Sequence, residues 1–317
     1  MRLPHTTPAE WPEARAGRFA ATIRTAAPDG CRVALLGLPD DTGIALNHGR
    51  SGAAEGPGAF RAALAAFGTT WDGLAGRALN VPIFDAGDVN PAPGGNEAAL
   101  METHARVAAA AAALHERGLV VACVGGGHDL TLPTVATLAK ATGGPVGGIN
   151  LDAHTDVRET VGSGMPFRRL IETGALDPRR FVEAGLSRFA NAREHVEWLS
   201  SRGATLVPVE EVLELGVLAR NWLDAALSGP DPKKATAFVS IDLDGLDGAE
   251  VPGVSAVNPM GVPIPGACHL AEAAGAESRV RHFDVMELSP PNDPSGRSAR
   301  VAALLFLSFI AGFTTRQ

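Results

Sequence analysis

Six side chains of the kinds that hold divalent cations fall in three short stretches: His128, then Asp152, His154 and Asp156, then Asp242 and Asp244. In Asp152-Ala153-His154-Thr155-Asp156 the groups are spaced i, i+2, i+4 after the apolar run Val146 to Leu151. While the backbone stays extended, such residues project to one side. Carboxylates buried at a strand end need a partner, and a divalent cation supplies one. Asp242 and Asp244 repeat the i, i+2 spacing after Phe238 to Ile241, and His128 follows Ala122 to Gly127. Taken singly, His128 reads as a turn residue and Asp242 and Asp244 as caps, although no helix is expected soon enough after Asp242 to need both; the spacing of Asp152, His154 and Asp156 favours a metal even alone. Taken together, four carboxylates and two imidazoles are too many for one zinc and too hard a set for soft metals. They suit two manganese-type ions. Two such ions about 3.5–4 Å apart can activate a water and stabilise a tetrahedral centre. Gly125-Gly126-Gly127 is neither a phosphate loop nor a dinucleotide fingerprint; it lets the chain turn sharply and expose the imidazole.

The elements that must carry these groups read as strands and helices in alternation. Strands are expected at Cys31 to Gly37, Ala78 to Asp85, Leu119 to Val124, Val146 to Leu151, Arg180 to Leu186, Ala204 to Val209, Ala235 to Ile241 and Arg281 to Glu287. Pro82 puts the second of these near an edge. Helices are expected at 58–67, 96–117, 132–142, 166–173, 191–202, 210–227, 266–276 and 296–313. The predicted fold class is α/β, one largely parallel sheet with helices on both faces. No linker or repeat divides residues 1–317, so a single domain with an irregular arm over 1–30 is expected. In such sheets ligands bind at strand carboxyl ends, where all six residues lie. Glu287 ends the eighth strand and can face the same pocket; Asp247 reads as loop support.

With 317 residues, 45% hydrophobic and 20% charged, the chain can bury a large core, and a net charge of −8 argues against a nucleic-acid partner. Cys31, Cys123 and Cys268 are widely spaced and odd in number, which fits a cytoplasmic protein rather than a disulfide framework. No signal peptide is read at the N-terminus. Val301 to Phe313 is too short for a membrane span and reads as a buried helix. His104 and His282 read as structural or exposed.

Gly125-Gly126-Gly127-His128, Asp152-Ala153-His154-Thr155-Asp156 and Ser240-Ile241-Asp242-Leu243-Asp244 together resemble the three metal motifs of the arginase/agmatinase (ureohydrolase) family. The resemblance runs from about Leu36 to the C-terminus. It implies a three-layer α/β/α sandwich around an eight-stranded parallel sheet, two Mn²⁺ per subunit and a trimer or hexamer. It also implies the ligand sets: His128, Asp152, Asp156 and Asp242 for one ion, and Asp152, His154, Asp242 and Asp244 for the other.

Within that family the flanks resemble the formimidoylglutamase branch: Gly37 to Asp41 with Asn47 to Arg50, Asp156-Val157-Arg158, Pro252 to Ala256, and Glu287 to Arg300. Arginases and agmatinases carry a catalytic histidine where this chain has Ser163. Asp129 stands where the family commonly has Glu, and Gly248 where arginases have proline. The implied activity is hydrolysis of N-formimidoyl-L-glutamate to L-glutamate and formamide. Glu287 is expected to hold the cationic amidine and Asp156 to carry a proton to the leaving nitrogen. Arg158 is expected to bind a substrate carboxylate, with Asn191, Arg50 and Ser163 as further substrate contacts. Another ureohydrolase activity, releasing urea from a guanidino compound, is the alternative within the family. A two-metal phosphoesterase is disfavoured by the scarcity of Lys and Arg at strand ends.

Overall fold

The structure is a computed structural model that describes residues 3–316; Met1 and Arg2 of the predicted arm, and Gln317, lie outside them. Its strands are β1 (Thr6–Thr7), β2 (Val33–Leu38), β3 (Trp71–Asp72), β4 (Arg77–Ala78), β5 (Ile83–Val89), β6 (Val120–Gly125), β7 (Val146–Leu151), β8 (Leu176–Leu186), β9 (Thr205–Pro208), β10 (Ala237–Asp242) and β11 (Val280–Met286). Its α-helices are α1 (Thr42–Leu46), α2 (Gly56–Ala66), α3 (Glu97–His115), α4 (Thr131–Thr142), α5 (Pro166–Glu172), α6 (Arg193–Ser200), α7 (Val209–Leu215), α8 (Ala219–Ala226), α9 (Ile264–Ala276) and α10 (Arg297–Phe313).

Nine strands form one sheet in the order β1-β5-β2-β6-β11-β10-β7-β8-β9, while β3 and β4 make a separate hairpin. Eight strands run parallel and β1 pairs antiparallel to β5, as Thr6 opposite Val89. The strands are apolar on both faces because helices cover both. Val33 and Leu35 of β2 enter the core shared with α2, α8, α9 and α10. Ala34 and Leu36, one residue out of phase, enter the core against α3. The apolar segment expected to be a buried helix is α10, in which Leu305, Phe306, Phe309 and Ile310 are at most 1% exposed. Phe309 stacks on Phe283 of β11 at 4.5 Å between centroids.

Four differences from the sequence reading have physical causes. The second strand begins after Pro82, because the ring removes the donor a ladder needs; Arg77–Ala78 pair with β3 instead. The arm, expected to be irregular, contributes β1 as the edge strand, which leaves β5 second from the edge and so near it as expected. The expected helix over 210–227 is two helices, broken at Gly216 with φ 77°. Leu243–Gly245 form a 3₁₀ turn directly after β10, and Asp242 Oδ1 accepts from Asp244 N at 2.7 Å, so one of these aspartates does cap a turn.

Chain order departs from spatial order where it matters. β6, β11, β10 and β7 are neighbours at the centre of the sheet. Their carboxyl ends carry His128, Glu287, Asp242 with Asp244, and Asp152 with His154 and Asp156.

Candidate metal centre

His128 Nδ1 lies 3.3, 3.0 and 3.1 Å from Oδ2 of Asp152, Asp156 and Asp242. His154 Nδ1 lies 3.4 Å from Asp152 Oδ1 and 3.3 Å from Asp244 Oδ2. The side chains thus form two groups able to hold an ion, His128-Asp152-Asp156-Asp242 and Asp152-His154-Asp244, joined through Asp152. Donors about 2.1 Å from one octahedral ion lie about 3.0 Å from each other, close to the spacing around His128. His128 Nδ1 and Asp244 Oδ1 are buried and make no hydrogen bond. A divalent cation fits both facts.

The electrostatics say the same. Burial opposes charge on His128, but the carboxylates of Asp152, Asp156 and Asp242 crowded around it hold its pKa well above the ordinary imidazole range. The charge of Asp244 raises His154. Burial would raise Asp152, yet the two imidazoles hold it below the usual carboxylate range. Burial, with neighbouring aspartates, raises Asp156 and Asp242 and pushes Asp244 up to about 7. Crowding four carboxylates on two imidazoles favours protons on the cluster that a divalent cation would displace.

Close backbone approach brings the loops together. A Cβ at Gly245 would lie 2.7 Å from the Cα of Asp152, and one at Gly126 would lie 1.7 Å from the carbonyl oxygen of Asp40. Asp156 and Glu287 both have positive φ, 45° and 65°, a conformation rare for residues with a Cβ and concentrated at functional sites.

The other expected site residues separate into two kinds. Glu287 is buried, accepts from His128 N at 3.0 Å and faces an inner cleft of about 130 Å³ that Asp156, Arg158, Ser163, Asp242 and Asp244 also line. Burial and the charge of Asp242 raise its pKa well above the usual carboxylate range. Arg158 is exposed at the junction with an outer cleft of about 570 Å³, which His154 and Asp156 also line. Ser163 lies 3.1 Å from the Asn47 amide, and its N–H donates to Gly43 O at 3.0 Å. Asn191 also lines the outer cleft, while it and Arg50 each hold neighbouring loops. The Asn191 amide accepts from Thr155 N at 2.8 Å and donates to Ala153 O and Ser187 O at 2.9 and 3.0 Å, so it staples the ligand loop. Arg50 Nε and Nη2 donate to Ser255 O and Val254 O at 2.9 and 2.8 Å, clipping one rim loop to another.

Sequence reasoning missed the residues behind His128. Its Nε2 lies 2.9 Å from Ser240 Oγ, which donates to Asp284 Oδ1. Asp284 Oδ2 accepts from Thr131 Oγ1 at 2.9 Å and contacts His282 Nε2 at 2.8 Å. With Nε2–H directed at Ser240, Nδ1 is left for an ion. A signal was present: Ser240 is two residues from Asp242, on the same strand face. Asp129, beside His128, pairs with buried His104 at 2.6 Å.

Comparison with known proteins agrees with this geometry. Residues 31–312 match the family model described as the Arginase family. The chain is 35% identical to a formimidoylglutamase of Ralstonia nicotianae, over 93% of this chain and 90% of that protein. It is 36% identical to one of Aeromonas hydrophila, over 86% and 84%. A crystal structure of Trypanosoma cruzi formiminoglutamase with Mn²⁺ superimposes with a TM-score of 0.86 at 30% identity, covering 95% of this chain and 99% of that one. Family match, relatives and the arrangement of the six side chains lead to one conclusion: this chain belongs to the arginase family.

Proposed function

We propose that the chain, acting as one domain, is a binuclear manganese hydrolase that cleaves N-formimidoyl-L-glutamate to L-glutamate and formamide. The observation that carries the reading is the double cluster of four aspartates and two histidines, with Glu287 and Arg158 on the cleft above it, in a chain whose relatives are formimidoylglutamases. His128, Asp152, Asp156 and Asp242 would hold one Mn²⁺; Asp152, His154 and Asp244, with Asp242 shared, would hold the other. When bound, the ions supply an ionised water at neutral pH and positive charge opposite the developing tetrahedral centre.

The protein's own groups do the rest. Glu287, fixed by the N–H of His128, orients the cationic amidine in the inner cleft. Arg158 at the junction of the clefts has the length and fork geometry to bind a substrate carboxylate at two points. Asp156 lines both clefts; it takes the proton given up by the attacking water and passes it to the departing glutamate nitrogen as the C–N bond breaks. Ser163 presents a hydroxyl to the same cleft. Asn191 and Arg50 serve by holding loops. The reading includes a cytoplasmic homo-oligomer, trimer or hexamer, acting on a small molecule. No helix among the described residues is long and apolar enough to cross a membrane, and the three cysteines are free; light scattering of the purified protein tests the assembly.

The deciding experiment is product analysis with Mn²⁺-loaded protein offered N-formimidoyl-L-glutamate, L-arginine, agmatine and 4-guanidinobutanoate. Formamide and glutamate from the first alone are expected. Urea from a guanidino compound without formamide overturns the substrate while leaving the metal centre intact.

A further inference from the structure

We propose that Asn150 and Glu183 form a buried acid–amide pair that aims the second N–H of Asn150 at Asp152, and so fixes the carboxylate common to both halves of the metal centre. The inference rests on the metal-centre reading. Asn150 lies in β7, two residues before Asp152 and on the same face; the β7–β8 register sets Glu183 opposite Asn150. Both are fully buried. Asn150 Nδ2 donates one hydrogen to Glu183 Oε1 at 2.7 Å and the other to Asp152 Oδ2 at 3.0 Å. That same Asp152 oxygen faces His128 Nδ1, while its other oxygen accepts from His154 N at 2.7 Å. The Asp152 carboxylate is therefore gripped from both sides.

Two atoms of the pair have no partner, Asn150 Oδ1 and Glu183 Oε2. If Glu183 were ionised, both would be buried acceptors without a donor, beside the charges of Asp152 and Asp156. One hydrogen on Oε2 serves both, closing the ring of an acid–amide pair. Burial, and then Asp152 and Asp156, push Glu183 well above the usual carboxylate range, in the same direction. Glu183 acts as a positioning residue: it touches no ion or substrate, but sets which way Asn150 points.

The test compares Glu183→Gln with Glu183→Leu and Asn150→Ala. Glutamine offers both an acceptor and a donor to Asn150, so Mn²⁺ affinity, measured by titration calorimetry of metal-free protein, stays within about twofold of wild type. Leucine fills the space without either group, and affinity falls about 10- to 100-fold, the usual cost of losing a residue that orients a ligand. Asn150→Ala falls similarly, and the double variant falls no further, because the residues act as one unit. Difference infrared spectra of wild type against Glu183→Gln show the carbonyl stretch of a protonated carboxyl in wild type only. Affinity lost equally in the Gln and Leu variants, or undiminished in a folded Leu variant, overturns the proposal. If Leu fails to fold, the Gln variant and the infrared band still decide it. Wild-type protein that binds no Mn²⁺ overturns the metal reading instead.

Discussion

Replacing Ser240 by alanine tests how far the metal centre depends on residues that never touch it. The hydroxyl stands between His128 Nε2, at 2.9 Å, and Asp284. Alanine removes the acceptor for Nε2–H inside a fully buried site. With Nδ1 committed to an ion, the ring cannot turn to find another acceptor; in the metal-free protein it can. A buried donor left unpaired costs about 1–3 kcal/mol, which is about 5- to 150-fold in a dissociation constant. The loss falls on the bound state, so Mn²⁺ affinity drops by that factor. The β10–β11 backbone ladder is untouched and Asp284 keeps Thr131 and His282, so the variant folds. Calorimetric titration of metal-free wild type and variant with Mn²⁺ measures the effect. An unchanged dissociation constant in a variant with wild-type circular dichroism refutes the reasoning.

Other outcomes follow from the same structure. Burial pushes Asp244 up to about 7, so its contribution to metal-free stability is present below about pH 4 and is lost as pH rises through 7. Mn²⁺ must displace that proton, so the thermal shift on adding Mn²⁺ grows from pH 6 to pH 8; a pH-independent shift refutes this. Arg61 and Asp85 are each 1% exposed and joined at 2.8 Å, so Arg61→Met strands a buried charge. It should cost about 3–5 kcal/mol in denaturant unfolding, and a loss below about 1 kcal/mol refutes the buried-pair account. Arg158→Ala raises KM for N-formimidoyl-L-glutamate about tenfold or more at unchanged Mn²⁺ content; an unchanged KM removes Arg158 from the substrate site. Gly245→Ala, whose new Cβ would lie 2.7 Å from Asp152 Cα, lowers bound Mn²⁺ measured by elemental analysis, and full occupancy refutes the close-approach argument.

The parts of the site legible in the sequence are those whose signal is local. Ligand spacing of i, i+2, i+4 after an apolar run, and its recurrence at other strand ends, needs only the period of a strand. What escaped depends on which strands become neighbours. Ser240 and Asp284 are far apart in sequence and meet because β10 and β11 pair in that register; Asn150 and Glu183 meet through β7 and β8. Residue type alone also cannot separate a cation left facing a cleft from one that ties loops together. Arg158 and Arg50 both sit in loops at the carboxyl end of the sheet, yet Arg50 has spent its guanidinium on Val254 and Ser255. The two-residue β1 is too short to carry a periodicity, and Gly216 separates two helix-forming runs with no proline or polar turn beside it to mark the break.

The place of β11 has a consequence for the chain as it is made. β11 is the last strand in sequence, yet it sits between β6 and β10 in the middle of the sheet. Until residues 280–286 leave the ribosome and enter that gap, the strand bearing His128 has no neighbour joining it to the strands bearing Asp152 and Asp242. β7 and β10 pair directly, so Asp152, His154 and Asp244 can meet before then, but the group that includes His128 stays open until β11 is in place. Completion of the His128 half of the centre is reserved for chains translated past residue 286.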